Sequence, residues 1–181
     1  MSNDELSFFS YEVLGLIGRE GASPHDLKQM VERGRMFAWA GESQYYSEPK
    51  RLAGLGYLEA RQEPGKTRPR TVYSLTEKGL EALREYAARP ATFTPVKSDL
   101  LVRLLIADLV DESVTRESIS RLRDDLADLE ERLREFDARS EDLPHRRKYR
   151  LLVLEYMQEL LELQLRVVRR VERELDGQPD S

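Results

Sequence analysis

Between Ile119 and Phe136 six apolar residues, Ile119, Leu122, Leu126, Leu129, Leu133 and Phe136, advance alternately by three and four positions with charges between them. That spacing places all six on one stripe of a long α-helix and does not fit a strand, whose side chains alternate with a period of two. One amphipathic rod cannot bury its own stripe, so it needs a partner. A second helix, expected from about Tyr149 to Leu175, carries two adjacent seams: Leu154, Met157, Leu161, Val168, Val171 and Leu175, and beside them Val153, Tyr156, Leu160, Leu163 and Val167. A face that broad must meet more than one neighbour. An intramolecular helical bundle is one solution. A dimer interface is the better one, because three helices alone give a poor place to bury both seams. Leu122, Leu126, Leu129, Leu133, Val153, Leu160, Leu161 and Val168 are therefore the expected dimerisation residues. From Asp99 onward the chain reads as helix, broken by "ARSEDLPHRR".

The first half is patterned differently. "FFSYEVLGLIGR" (8–19) has Phe9, Val13, Leu16 and Ile17 at helical spacing, with Gly21 as the stop. Ser23 caps a second helix with Pro24 at its first position, burying Leu27, Met30 and Val31 and stopping at Gly34. Ser43 is expected to open a third helix, and Pro49 inside it to force a kink, a 3₁₀ turn over Tyr45–Glu48, or a later start at Ser47. "YLEARQ" and "TVYSL", joined by "EPGKTRPR", read as a hairpin, and Thr76 caps a helix that stops before Pro90. The expected fold is mainly α with a small β-hairpin. It has a winged helix-turn-helix at 1–90, a proline-containing linker at 91–98 and a helical, coiled-coil-like dimerisation domain at 99–181.

Composition bounds the function. The chain has 181 residues and no Cys, which excludes disulfides and cysteine-ligated metals. "LLVRLLIADLV" (100–110) is too short and too charged to span a bilayer, and no export signal is read at "MSNDELSFF", so a cytoplasmic location and no membrane contact are expected. The net charge of −5 lies wholly in residues 91–181, with the first ninety residues neutral. DNA binding depends on a local basic surface and not on the global sum. His25 and His145 show no zinc-ligand spacing, and the carboxylates sit on charged helix faces. "GKT" (65–67) fails as a phosphate loop because the motif's first glycine would be Ala60. Neither an enzyme, a metal nor a cofactor is expected.

"SYEVLGLI", "SQYYSEPKRLAGLGYLEA" and "TRPRTVYSLTEKGLEAL" resemble, in order, the first helix, recognition helix and wing of the PadR-like transcriptional regulators. The family's recognition pattern falls on Tyr46, Lys50, Arg51, Leu52 and Gly56, and its wing pattern on Thr67 to Arg70, Val72, Tyr73, Leu75 and Thr76. Residues 97–175 resemble the helical C-terminal domain of the longer members, related to virulence activators. Two departures are present: Ser47 where many members have Pro after the recognition Tyr, and Pro24–His25 where a Gly-Tyr pair is common.

A recognition helix reads base edges with its first turn, here Ser43, Gln44, Tyr45 and Tyr46, and Lys50 and Arg51 follow near the backbone. Lys66, Arg68 and Arg70 of the wing suit phosphate or minor-groove contact, although a basic turn can also be merely solvated. Tyr45 and Tyr46 could instead pack internally, and Glu48 should face away from DNA or pair with Arg51. Phe37 and Trp39, with Met36, either line an effector pocket for a small aromatic molecule or pack between the second and third helices. Expected partners are double-stranded DNA and a second copy, giving an inverted-repeat operator with half-sites one or two turns apart, at roughly 34 Å per turn. The resemblance further implies a repressor released by a small-molecule effector. The alternative is a winged-helix adaptor without DNA affinity that mediates protein–protein interaction.

Overall fold

The computed structural model describes residues 6–34, 40–64, 69–93, 95, 97–138 and 144–177. The chain divides into two compact units, Met1–Phe93 and Thr94–Ser181.

In the first unit α1 (Phe8–Ile17) starts with a reciprocal capping box between Ser7 and Ser10. It ends at Gly18, whose φ of 60° makes it the cap, and not at Gly21 as expected. Gly21, with φ of 80°, serves a different purpose. It turns the chain so that Ala22 exchanges two main-chain hydrogen bonds of 2.9 Å with Tyr73, and a Cβ there would stand 3.0 Å from the Tyr73 carbonyl. α2 (Pro24–Gly34) is capped by Ser23 and Asp26 reciprocally. Leu27 and Val31 are buried, but Met30 is exposed, against expectation.

α3 (Glu42–Gly54) starts after Gly41, so Ser43 lies inside the first turn and does not cap it. The helix is continuous through Pro49, with no 3₁₀ turn and no later start at Ser47. Pro49 denies the Tyr45 carbonyl its helical donor, but its ring is fully buried, so apolar packing offsets the lost bond. The strands β1 (Leu58–Glu63) and β2 (Arg70–Leu75) pair antiparallel from Leu58 opposite Leu75 to Glu63 opposite Arg70. α4 (Glu77–Ala88) follows, with the Thr76 hydroxyl accepting from the Gly79 N–H. Val13, Leu14, Ile17, Leu27, Tyr45, Leu52, Leu58 and Tyr73 form the core, and Tyr11 of α1 stacks on Tyr86 of α4 at 4.2 Å.

The second unit begins with α5 (Asp99–Leu105) and a short 3₁₀ turn (Ala107–Leu109). The expected unbroken helix from Asp99 is thus interrupted, and α6 (Glu112–Ala138) is a fresh start. A 3₁₀ turn (Pro144–Arg146) leads into α7 (Arg147–Leu175). α6 and α7 run antiparallel: Arg116 near the start of α6 contacts the Leu175 carbonyl and Asp176, and Arg123 reaches Glu172 at 3.1 Å. Between them lie Ile119, Leu126 and Leu133 of α6 and Leu154, Met157, Leu161, Leu165 and Val168 of α7, all buried.

This corrects the seam assignment. Leu126, Leu133, Leu161 and Val168 are covered within one chain, because the antiparallel return of α7 reaches them first. Leu122, Leu129 and Leu160 are half-buried at the margin of that seam. The second seam is open at Val153, Tyr156 (69%) and Leu163, with Val167 half-buried; Leu151 and Leu152 next to it are exposed as well, as are Leu105 (78%) at the end of α5 and Leu109 after it.

Candidate nucleic-acid interface

Tyr45, Pro49 and Leu52 recur at i, i+4 and i+7 and sink one side of α3 into the core. Geometry then assigns the other side. Ser43, Tyr46 (44% exposed), Ser47 and Lys50, at i, i+3, i+4 and i+7, form the outward face, and Gln44 is exposed on its flank. Ser47 shares this face although it is not among the contacts expected from the sequence. The signal for it was the inner triplet, which fixes its opposite face by elimination. Its hydroxyl donates to the Gln44 carbonyl at 3.4 Å and is otherwise open to solvent.

Tyr45 does not belong to this surface. It is 2% exposed, packs edge-on against Phe9 at 5.0 Å, and its hydroxyl donates to Glu12 Oε1 at 3.1 Å. Burial, then the charge of Glu12 and the bond to it, push the phenol's pKa up, so it stays protonated and a donor. Arg51 is also redirected: Nε donates to Glu48 Oε2 at 2.9 Å and Nη2 to Oε1 at 2.8 Å, a two-pronged pair. Glu48 pairs with Arg51, one of its two expected fates. Burial works to raise the Glu48 pKa, but hydrogen bonds from Arg51 and Ser10 and the charge of Arg51 outweigh it and hold it below the usual range.

In the hairpin, Arg70 is half-exposed and sits 3.4 Å from Glu63 and 3.5 Å from Asp26, which ties β2 to the first turn of α2. Lys66 and Arg68, and the effector candidates Phe37 and Trp39, lie outside the described residues. Among the described residues no cluster of His, Asp and Glu is placed to hold a metal ion, and no helix is long and apolar enough to cross a membrane.

Three short helices with a hairpin after the third, then a long antiparallel helical pair, recur in solved structures. Bacillus subtilis PadR in complex with operator DNA is 18% identical, with 94% of this chain and 100% of that one covered at a TM-score of 0.75. The fold is PadR-like. The complex of Bacillus subtilis PadR with p-coumaric acid is 21% identical, covering 93% and 95% at a TM-score of 0.64. The Vibrio cholerae virulence activator AphA is 18% identical, covering 94% and 99% at 0.70. Residues 96–176 match the family model described as Virulence activator alpha C-term. No curated protein matches the sequence. The PadR-like winged unit thus presents α3 with its outer face free of core contacts, beside a hairpin whose described strands carry Arg61 and Arg70.

Proposed function

We propose that the chain is a homodimeric, sequence-specific DNA-binding transcriptional regulator. It acts as a repressor on an inverted-repeat operator and is released by a small aromatic effector. The observation that carries this reading is the outer face of α3: a polar, exposed row of Ser43, Tyr46, Ser47 and Lys50 with Gln44 alongside, on a helix otherwise anchored by core packing. Gln44 can pair with adenine through its amide, hydroxyls and Lys50 suit phosphate or base edges, and a helix of this width fits the major groove. The shared fold with a protein solved on its operator, and with p-coumaric acid, supports the reading. The open apolar seam of α7 and the exposed α5 residues support pairing with a second copy, since so many contiguous apolar side chains are costly in water. Glu48, the acid that favoured an adaptor without DNA affinity, is engaged by Arg51 and Ser10 and does not face outward.

Selection of bound duplexes from a random DNA pool tests this directly. A recovered inverted repeat is the expected result, with affinity falling on the order of 10³-fold or more between about 50 and 200 mM salt for six or more phosphate contacts. Recovery of no consensus, together with affinity flat across that salt range, refutes it.

A further inference from the structure

α3 is attached to α1 by directional polar contacts as well as by apolar packing. Ser10 is fully buried, and its hydroxyl donates to Glu48 Oε1 at 2.7 Å while accepting from Arg51 Nη2 at 3.1 Å. With the two-pronged Arg51–Glu48 pair this closes a three-residue cluster. One turn earlier Tyr45 makes a second link, to Glu12. The charge of Arg51 is thereby met within the fold, and Arg51 is only partly exposed although it lies one turn after Ser47 on the helix.

Apolar burial is non-directional and sets which side of a helix faces inward, but only loosely its roll. Helix radius with side chains is about 5–6 Å, so a roll of about 10° moves a side-chain tip by roughly 1 Å. Recognition geometry tolerates about 0.5 Å. Hydrogen bonds, which weaken steeply with angle, supply the missing constraint.

We infer that Ser10, Glu48 and Arg51 are positioning residues for base recognition. Their cluster fixes the roll of α3, and so the aim of Gln44, Tyr46, Ser47 and Lys50, and Arg51 is not a phosphate contact. The inference rests on the DNA-binding reading and goes beyond it by assigning specificity to residues that do not touch DNA.

The test compares affinity for the selected operator and for an unrelated duplex of equal length, across salt, for the full chain and for Arg51→Gln and Glu48→Gln. Thr76→Ala, which removes the α4 cap without touching Ser10, Glu48 or Arg51, is the control. Both cluster variants are expected to lower the operator-to-unrelated ratio on the order of tenfold and to leave the salt slope unchanged, with Thr76→Ala retaining both. A purely stabilising role would shift unfolding but move neither quantity. The inference is overturned if Arg51→Gln reduces the slope by about one with the ratio kept, the signature of a lost phosphate contact. It is equally overturned if Glu48→Gln raises affinity for both duplexes alike, as a merely repulsive acid would. A wild type that binds no duplex sinks the DNA-binding reading itself, whereas a wild type that binds while both variants keep its ratio sinks this inference alone. In the free protein, a Ser10→Ala and Glu48→Ala cycle should show coupling on the order of tenfold in the unfolding constant, and additive effects would remove the cluster's physical basis.

Discussion

Replacing Gly79 by Ala sets two effects against each other whose sizes can be compared. Gly79 lies in the first turn of α4, and Ala is the better helix former there by about 1 kcal/mol, so propensity alone predicts stabilisation. A Cβ at this position, however, would stand 2.2 Å from the Tyr57 carbonyl oxygen and 3.2 Å from Leu75. The clash is with main chain that is itself held: the Tyr57 carbonyl accepts from Thr76 N at 3.2 Å, and Tyr57 N donates to Leu52 at 3.0 Å. Relief requires moving α4 off the end of the hairpin, and such overpacking costs about 1–3 kcal/mol or more. Because 2.2 Å is a severe overlap with main chain, the cost lies at the upper end, about 3 kcal/mol; subtracting the propensity gain leaves a net destabilisation of about 2 kcal/mol, about 8–16 °C in melting temperature for a unit of this size. Gly15 in α1 is the matched control, because nothing lies within 4 Å of a Cβ there. Gly15→Ala should be stabilising by up to about 1 kcal/mol. Urea unfolding followed by far-ultraviolet circular dichroism reads both variants. Equal, favourable shifts for the two would refute the close approach of α4 to Tyr57.

Tyr45→Phe should cost about 1–2 kcal/mol by removing the buried hydrogen bond to Glu12, while Tyr46→Phe should leave denaturant midpoints unchanged and affect only DNA affinity. The depressed pKa of Glu48 means its ionised form stabilises the fold above the ordinary value of 4.5, and this stabilisation is lost as pH falls through the folded value. Stability profiles of wild type and Glu48→Gln should therefore differ most near neutrality and converge on acidification; a gap that widens below about pH 4 would reverse the sign. Leu161→Ala, inside the α6–α7 seam, should cost about 2–5 kcal/mol. Val153→Ser with Tyr156→Ser, on the open seam, should instead lower the mass measured by light scattering from two copies to one. An unchanged mass would rule that face out as the interface.

Much of this molecule is legible in residue order. The three-four spacing from Ile119 imposes a long helix, Ser23–Pro24 and Thr76 mark helix starts, and β-branched and aromatic residues around a Pro-Gly turn impose the hairpin, because each of these signals acts over a few neighbouring residues. Partnership across the chain is not local and was less legible. Tyr45 and Tyr46 are adjacent and chemically identical, yet one is core and the other surface; only the docking of α3 on Phe9 and Glu12 separates them. A pairing of Arg51 with Glu48, three positions away, can be read locally, but the link of both to Ser10, forty-one positions from Arg51, cannot. The two seams of α7 are equally apolar in sequence, and the antiparallel return onto α6 decides which is filled within the chain and which is left open. Backbone periodicity is written in near neighbours, whereas the choice of which face meets which surface is a competition for burial that no short stretch contains.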